Sequence, residues 1–354
     1  MKLKTLLLSS LSILAASSVM AADLVDFDPD VPAPSEVPTL AAPADAGVSV
    51  CQAMGTGFFF IPGTETCLRI GGAVEISYGY ASLFDGNAYE DGYGNVEARM
   101  DLETATDSEF GVIGSHIRIS AIGNYLQGEG TSTDGKIGLE QAYVTFGPAY
   151  AGFKDTLFNK DIAYGDVFSL DSYGKRLGFG TNAYTIGALV DNIGGGFYAG
   201  AAIESYERSR WIDSIDNAGN PDIVARLGIA GQSWGGSDLS VAYSDEADAW
   251  MVKSTTDVDV LDATQARLTA AYTDALNDDT WLLSAGLKHG FTDQISGFTS
   301  VGYVVNKDLD DPWLANAGLA YTPVEGFDVI GEVGYGDIAG SDSYVGQLKF
   351  VKSW

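Results

Sequence analysis

A chain of 354 residues with 48 acidic against 19 basic side chains, net −29 at neutral pH, has no basic footprint for nucleic acid. Its hydrophobic fraction of 46% excludes wholesale disorder. Past the N-terminus, no stretch approaches the roughly 18–20 apolar residues that a spanning helix needs.

The chain opens with Lys2 and Lys4, an apolar run from Leu6 to Val19, and small side chains around Val19-Met20-Ala21. This is the pattern of a secretory signal peptide over residues 1–21, cleaved after Ala21. Its removal leaves 17 basic against 48 acidic residues, about −31. Residues 22–50 hold Asp26, Asp28, Asp30 and five of the ten prolines (Pro29, Pro32, Pro34, Pro38, Pro43). Proline and acid without apolar periodicity describe an extended periplasmic segment. Cys51 and Cys67 flank the next segment, 51–67. In an exported chain they meet an oxidising compartment, where pairing ties the N-terminal segment to the first strand. Two buried free thiols are the alternative; a pair is too small a set for structural zinc.

From Leu68 to the C-terminus, 68–354, the sequence alternates. Leu68, Ile70, Val74, Ile76 and Tyr78 share one parity, with Arg69, Glu75 and Ser77 on the other. This is the two-residue period of a strand with one apolar face. Val96, Ala98, Met100 and Leu102 against Glu97, Arg99, Asp101 and Glu103 repeat it, as do Ile117 and Ile119 against His116, Arg118 and Ser120. Leu268, Ala270 and Tyr272 against Arg267 and Thr269 carry it into the C-terminal half. Tight connections such as 322–326 and 290–293 suit periplasmic turns; acid- and Gly-rich ones such as 84–94 and 306–312 suit external loops. The walk places strands near 68–80, 95–106, 111–124, 136–147, 151–158, 178–190, 196–206 and 223–234. It continues with 238–246, 249–256, 264–274, 280–289, 295–305, 313–322, 326–335 and 342–354. Sixteen strands result, an even number that leaves both chain ends on one side.

The expected fold is therefore all-β, a transmembrane antiparallel β-barrel. Unpaired backbone groups in lipid cost several kcal/mol each, so the sheet must close. A barrel of this girth cannot fill its bore with side chains and encloses water.

The stretch Cys51 to Ile70, CQAMGTGFFFIPGTETCLRI, resembles the N-terminal signature of alphaproteobacterial outer-membrane porins. There a Cys, a Gly-aromatic run, IPGT and a second Cys lead into strand one. The resemblance extends over the signal peptide and the barrel pattern. It covers the aromatic end too: Trp354 and Phe350 share a parity and match the C-terminal assembly signal of such barrels. Lys352 departs from that apolar parity, and its ammonium can snorkel to the interface. The resemblance implies a homotrimer in the outer membrane, in contact with lipid and lipopolysaccharide. Each barrel passes small hydrophilic solutes and ions, without a cofactor. It also implies an inward-folded third external loop, here Phe158 to Leu177, carrying Asp161, Asp166 and Asp171.

Arg69, Arg99 and Arg118 share the polar parity of the first three strands, where lipid exposure costs roughly 2–4 kcal/mol at mid-bilayer. They are expected to line the bore and face the acidic loop, setting a transverse field at a constriction. The alternative is ordinary lumen pairing with Glu97, Asp101 or Glu75. Arg226, Arg267 and Lys288 are further inward candidates, with Lys154 and Lys160 at the mouth. No metal site is expected from the carboxylate runs, which read as solvated faces.

Two histidines, His116 and His289, with no Ser-centred elbow or metal-ligand spacing, argue against an enzyme. A structural barrel or adhesin would call for a separate soluble domain, and none remains after residue 66. A substrate-selective channel would use the same architecture with different lumen side chains.

Overall fold

The computed structural model describes residues 49–83, 89–109, 111–126, 136–158, 162–166, 182–206, 221–245, 248–274, 279–306, 311–338 and 341–354. A two-residue strand, β1 (Phe59–Phe60), precedes the barrel. Its first half is β2 (Cys67–Leu83), β3 (Tyr89–Thr106), β4 (Ile113–Leu126), β5 (Lys136–Phe146), β6 (Ala149–Asp155), β7 (Asn182–Gly194), β8 (Phe197–Tyr206) and β9 (Asp222–Gln232). The second half is β10 (Gly235–Ser244), β11 (Ala249–Leu261), β12 (Thr264–Thr273), β13 (Thr280–Gly290), β14 (Ile295–Val305), β15 (Trp313–Val324), β16 (Phe327–Ile338) and β17 (Ser341–Ser353).

Each strand from β2 to β17 pairs antiparallel with its sequence neighbour, and β17 pairs with β2 from Tyr344↔Ser82 to Ser353↔Ala73. Sixteen strands among the described residues therefore form a closed ring. Closure satisfies the backbone in a solvent that offers no hydrogen bonds. Short connections alternate with long ones around it. Cys67 and Trp354 both lie at the short-connection end, which is the periplasmic side in barrels of this kind.

The alternation in sequence becomes an outside and an inside. Along β13, Trp281, Leu283 and Leu287 are about half exposed on the outer face, while Leu282 and Ser284 face inward and are buried. Ile186 on β7 and Leu227 on β9 are outward in the same way. Such faces are stable only against lipid. At the long-connection end the outer rings pair: Tyr243 with Trp250, Tyr272 with Trp281, and Trp313 with Tyr335. Aromatic rings of this amphipathic kind settle at the headgroup level.

Several boundaries differ from the alternation-based expectation, and two of them have a plain physical reason. Residues 84–94 read as an external loop, yet β3 begins at Tyr89, paired with Leu83. The β2–β3 hairpin, with strands of 17 and 18 residues, is longer than the roughly 9–11 that span the hydrocarbon layer. Strands of this length continue past the hydrocarbon layer, where acid and glycine are tolerated in a strand. Conversely, the strand expected over 151–158 stops at Asp155. Thr156, Leu157 and Phe158 leave the sheet because Glu204 of β8 captures the chain there.

At the periplasmic end, β1 pairs with β2 (Phe59↔Leu68, Phe60↔Cys67), and Cys51 is disulfide-bonded to Cys67. Cys51, Phe58, Cys67 and Ala105 form a buried cluster. The C-terminal residue completes the ring: Trp354 N donates to Gly72 O at 3.1 Å, and Gly72 N to Trp354 O at 3.2 Å. A Cβ at Gly72 would lie 2.7 Å from the Trp354 ring and 2.5 Å from Arg99 O, so only glycine fits. Lys352 sits near the strand end and donates to Glu325 O, as a snorkelling lysine does. Replacing both cysteines with serine is expected to lower the unfolding free energy by about 3 kcal/mol, the cost for a closed loop of roughly 15 residues. Urea unfolding in detergent checks it, and an unchanged midpoint contradicts it.

Candidate functional site

The inner wall carries many polar side chains, and its arginines are paired with carboxylates. On β2–β4, Arg69 Nη2 donates to Glu103 Oε2 at 2.5 Å. Arg118 Nε donates to Asp101 Oδ1 at 2.6 Å, and Arg99 Nε lies 3.5 Å from the other oxygen of Asp101. Across the bore, Arg267 grips Asp257 with two bonds of 2.6 and 2.9 Å, and Arg226 meets Asp238 at 3.1 Å. The fork of a guanidinium matches a carboxylate in this way, and in a partly desolvated wall such bonds outweigh neutral ones.

Residues 156–158 and 162–166, between β6 and β7, lie against this wall. Glu204 accepts from Thr156 Oγ1 at 2.5 Å and from Leu157 N at 2.8 Å. Phe158 is buried beneath the ammonium of Lys253, 5.2 Å from its ring centroid. Thr269 on β12 donates to Ile162 O at 2.9 Å. Tyr164 is held on both sides of its peptide. Its N–H donates to Ser300 Oγ at 2.9 Å, while its carbonyl accepts from Ser300 Oγ at 3.1 Å and Asn316 Nδ2 at 2.8 Å. Asn316 also donates to Glu332 Oε1 at 2.7 Å, and Glu332 Oε2 accepts from Asp166 N at 3.1 Å. The Tyr164 ring covers Arg267, with the guanidinium 4.7 Å from its centroid. Burial, then the nearby Asp257 carboxylate, push the Tyr164 hydroxyl's pKa upward, so it stays a neutral donor to Gln265 at 3.0 Å.

Gly165 joins these anchors with φ +92, and a Cβ there would meet Asn316 Nδ2 at 2.2 Å and Glu332 Oε1 at 2.4 Å. Glycine is required on both counts. Beneath the segment lies an apolar strip inside the barrel. Leu157, Phe158, Ile162 and Ala163 pack on inward residues that include Val224, Ala242, Met251, Leu282, Val304 and Leu314. Burying one such side chain contributes roughly 1.5–3 kcal/mol.

Arg69, Arg99 and Arg118 are all on the inward parity of β2, β3 and β4. Arg99 and Arg118 share Asp101, whereas Arg69 stands at the periplasmic end, its guanidinium 4.9 Å from the Phe58 ring centroid. Asp166 forms an ion pair with Lys349 of β17, which also lies 3.7 Å from Glu75. Lys349 and Arg99 both act electrostatically on Glu97, so Asp166 and the β2–β4 charges belong to one neighbourhood. Asp161 and Asp171 lie outside the described residues. Arg226 and Arg267 are inward, and Lys154 lies on the inward parity of β6 rather than at the mouth. Glu204, Ser300, Asn316, Glu332 and Lys349 were not singled out from sequence. Their one signal is a polar residue on the inward parity, which most of the wall shares.

A closed barrel with a lipid-facing exterior and a charged, hydrated bore is an outer-membrane channel. The family model for the porin subfamily matches residues 37–352, and the chain belongs to that family of non-enzymatic channels. Porin Omp2b of Brucella abortus (strain 2308) is 28% identical over the full length of both chains. Porin Omp2a of Brucella ovis is 28% identical over 96% of this chain and all of that one. Among solved structures, the outer-membrane channel DcaP of Acinetobacter baumannii has a TM-score of 0.65 at 16% identity, covering 83% of this chain and 99% of that one. OmpF of Salmonella typhi gives 0.60 at 12% identity, covering 82% and 98%. The anion-selective porin from Comamonas acidovorans gives 0.58 at 11%, covering 82% and 100%. These likenesses concern the fold.

Asn316→Leu leaves the Tyr164 carbonyl and Glu332 short of a donor, and is expected to cost about 1–3 kcal/mol. Denaturant unfolding in detergent reads the loss. The open-channel current of the variant is expected to be noisier as the segment leaves the wall, and a quiet current at unchanged stability contradicts the anchor.

Proposed function

We propose that this outer-membrane porin is a general, passive channel whose constriction lies between the β2–β4 charges and the segment carrying Asp166. The observation that carries the reading is the anchoring of Ile162–Asp166 to inward side chains of β12, β14, β15, β16 and β17. A segment held there narrows the bore without sealing it, and opposes its carboxylates to Arg99 and Arg118. Asp161 and Asp171 remain the sequence's other candidates for the acidic side, and Arg69 extends the basic side toward the periplasmic mouth. A transverse field of this kind orders water and sorts solutes by charge.

Export by the 1–21 signal, the 22–50 periplasmic segment and a homotrimeric assembly are parts of the same proposal. So is contact with lipopolysaccharide at the long-connection rim. There, Tyr243, Tyr272 and Tyr335 donate to Asp248, Asp279 and Asp342 and present their rings at headgroup height.

Purified protein in a planar bilayer is expected to give stable, ohmic conductance steps; silence in repeated trials removes the reading. Neutralising Arg99 and Arg118 to Gln releases Asp101. Each lost charge is expected to raise the cation-to-anion permeability ratio about tenfold, from ~0.7 kcal/mol of opposite sign on the two ions at ~6 Å in water. Reversal potentials in a salt gradient read the change, and an unmoved potential shows that these arginines do not filter.

A further inference from the structure

Six of the basic side chains of the wall described above have a carboxylate at contact distance: Arg69 has Glu103, Arg99 and Arg118 share Asp101, Arg226 has Asp238, Arg267 has Asp257, and Lys349 has Asp166. Lys154 does not. It shares the inward parity of β6 with Tyr150, and its ammonium lies 4.2 Å from the Tyr150 ring centroid and 5.3 Å from that of Tyr143. His116 stacks on the Tyr143 ring, with centroids 5.1 Å apart and planes 14° apart, and so steadies it. Among the described residues no carboxylate stands within ion-pair distance of Lys154. Asp155, Glu204 and Asp191 act on Lys154 only at longer range, and Glu204 has both oxygens engaged by Thr156 and Leu157.

This difference in partner decides what a passing solute senses. A guanidinium bonded to a carboxylate presents a dipole, whose field falls off quickly. An ammonium bounded by ring faces is oriented by their quadrupoles and keeps its full charge. We propose that Lys154, cradled by Tyr143 and Tyr150, is a selectivity-determining residue that draws small anions, halide or carboxylate, along this side of the bore. The proposal rests on the passive-channel reading only in needing an open aqueous path past β5 and β6; it does not need the arginine constriction. Lys288 is the natural control, being exposed two residues from the end of β13 without an aromatic cradle.

The test compares Lys154→Met, Lys154→Arg and Lys288→Met with the unmodified channel in planar bilayers under a KCl gradient. Methionine keeps the apolar stem between the rings and removes the charge; arginine keeps the charge. Lys154→Met is expected to lower the chloride-to-potassium permeability ratio about tenfold, as loss of one charge at ~6 Å in water implies for two ions of opposite sign. Lys154→Arg is expected to hold that ratio, and Lys288→Met to move it less. An unchanged ratio in Lys154→Met overturns the proposal, and so does an equal shift in Lys154→Met and Lys154→Arg, which marks a packing role. An Arg99 and Arg118 effect without a Lys154 effect overturns this inference alone. Absence of steps in the unmodified protein overturns both readings.

Discussion

The backbone of a β-strand in hydrocarbon has nowhere to place its N–H and C=O groups except on another strand. One seam, β17 on β2, therefore decides whether the other fifteen ladders have a structure to belong to. The seam is built from both ends of the described chain. Trp354 exchanges two backbone bonds with Gly72, and its ring takes the space a side chain at Gly72 would need. Cys67, at the start of the same strand, is tied back to Cys51, which fixes the segment entering the barrel. The seam thus couples the disulfide, the aromatic terminus and ring closure in one corner of the periplasmic rim.

Closure creates the second problem. A ring of sixteen strands encloses more volume than inward side chains fill, and the interior must be wet and yet ordered. The wall meets this with matched charges, and with a segment stitched in by two kinds of contact. Polar anchors on β14–β16 fix the peptide of Tyr164–Asp166, while an apolar strip spanning β9 to β15 seats Leu157, Phe158 and Ile162. Each alone is weak. Hydrogen bonds facing water exchange with it, and an apolar strip does not fix position. Together they give direction and adhesion.

Much of this was readable from the chain because the driving force is periodic. Arg69, Arg99 and Arg118 are inward since their neighbours Ile70, Met100 and Ile117 must face lipid, and no other register satisfies both. The sixteen-strand count came from walking the same alternation along the chain, and the disulfide was expected from the oxidising compartment. What stayed hidden is what breaks the period. Val224, Leu282 and Val304 stand on the inward parity but are apolar. Beside Ile223, Leu283 and Val305 they read as uniformly greasy strand ends, not as a seat. Glu332 and Asn316 follow the polar parity so well that nothing separates an anchor from ordinary lining. Their role arises from contact with residues more than 150 positions away, which alternation does not encode.

The acidic excess is the clearest case in which composition and field part company. A net charge of −29 suggests a bore that welcomes cations. Yet Asp101, Glu103, Asp238 and Asp257 on the wall are each answered by an arginine, whereas Asp245, Asp248, Asp274, Asp279, Asp311 and Asp342 are exposed at the long-connection rim. At physiological salt a rim charge is screened within about 8 Å, so it raises the local cation concentration at the entrance and fades along the bore. Deeper in, where these arginines meet carboxylates at contact distance, the field depends on which charges lack such a partner. Selectivity then depends less on how many carboxylates the protein carries than on which cations they leave uncovered.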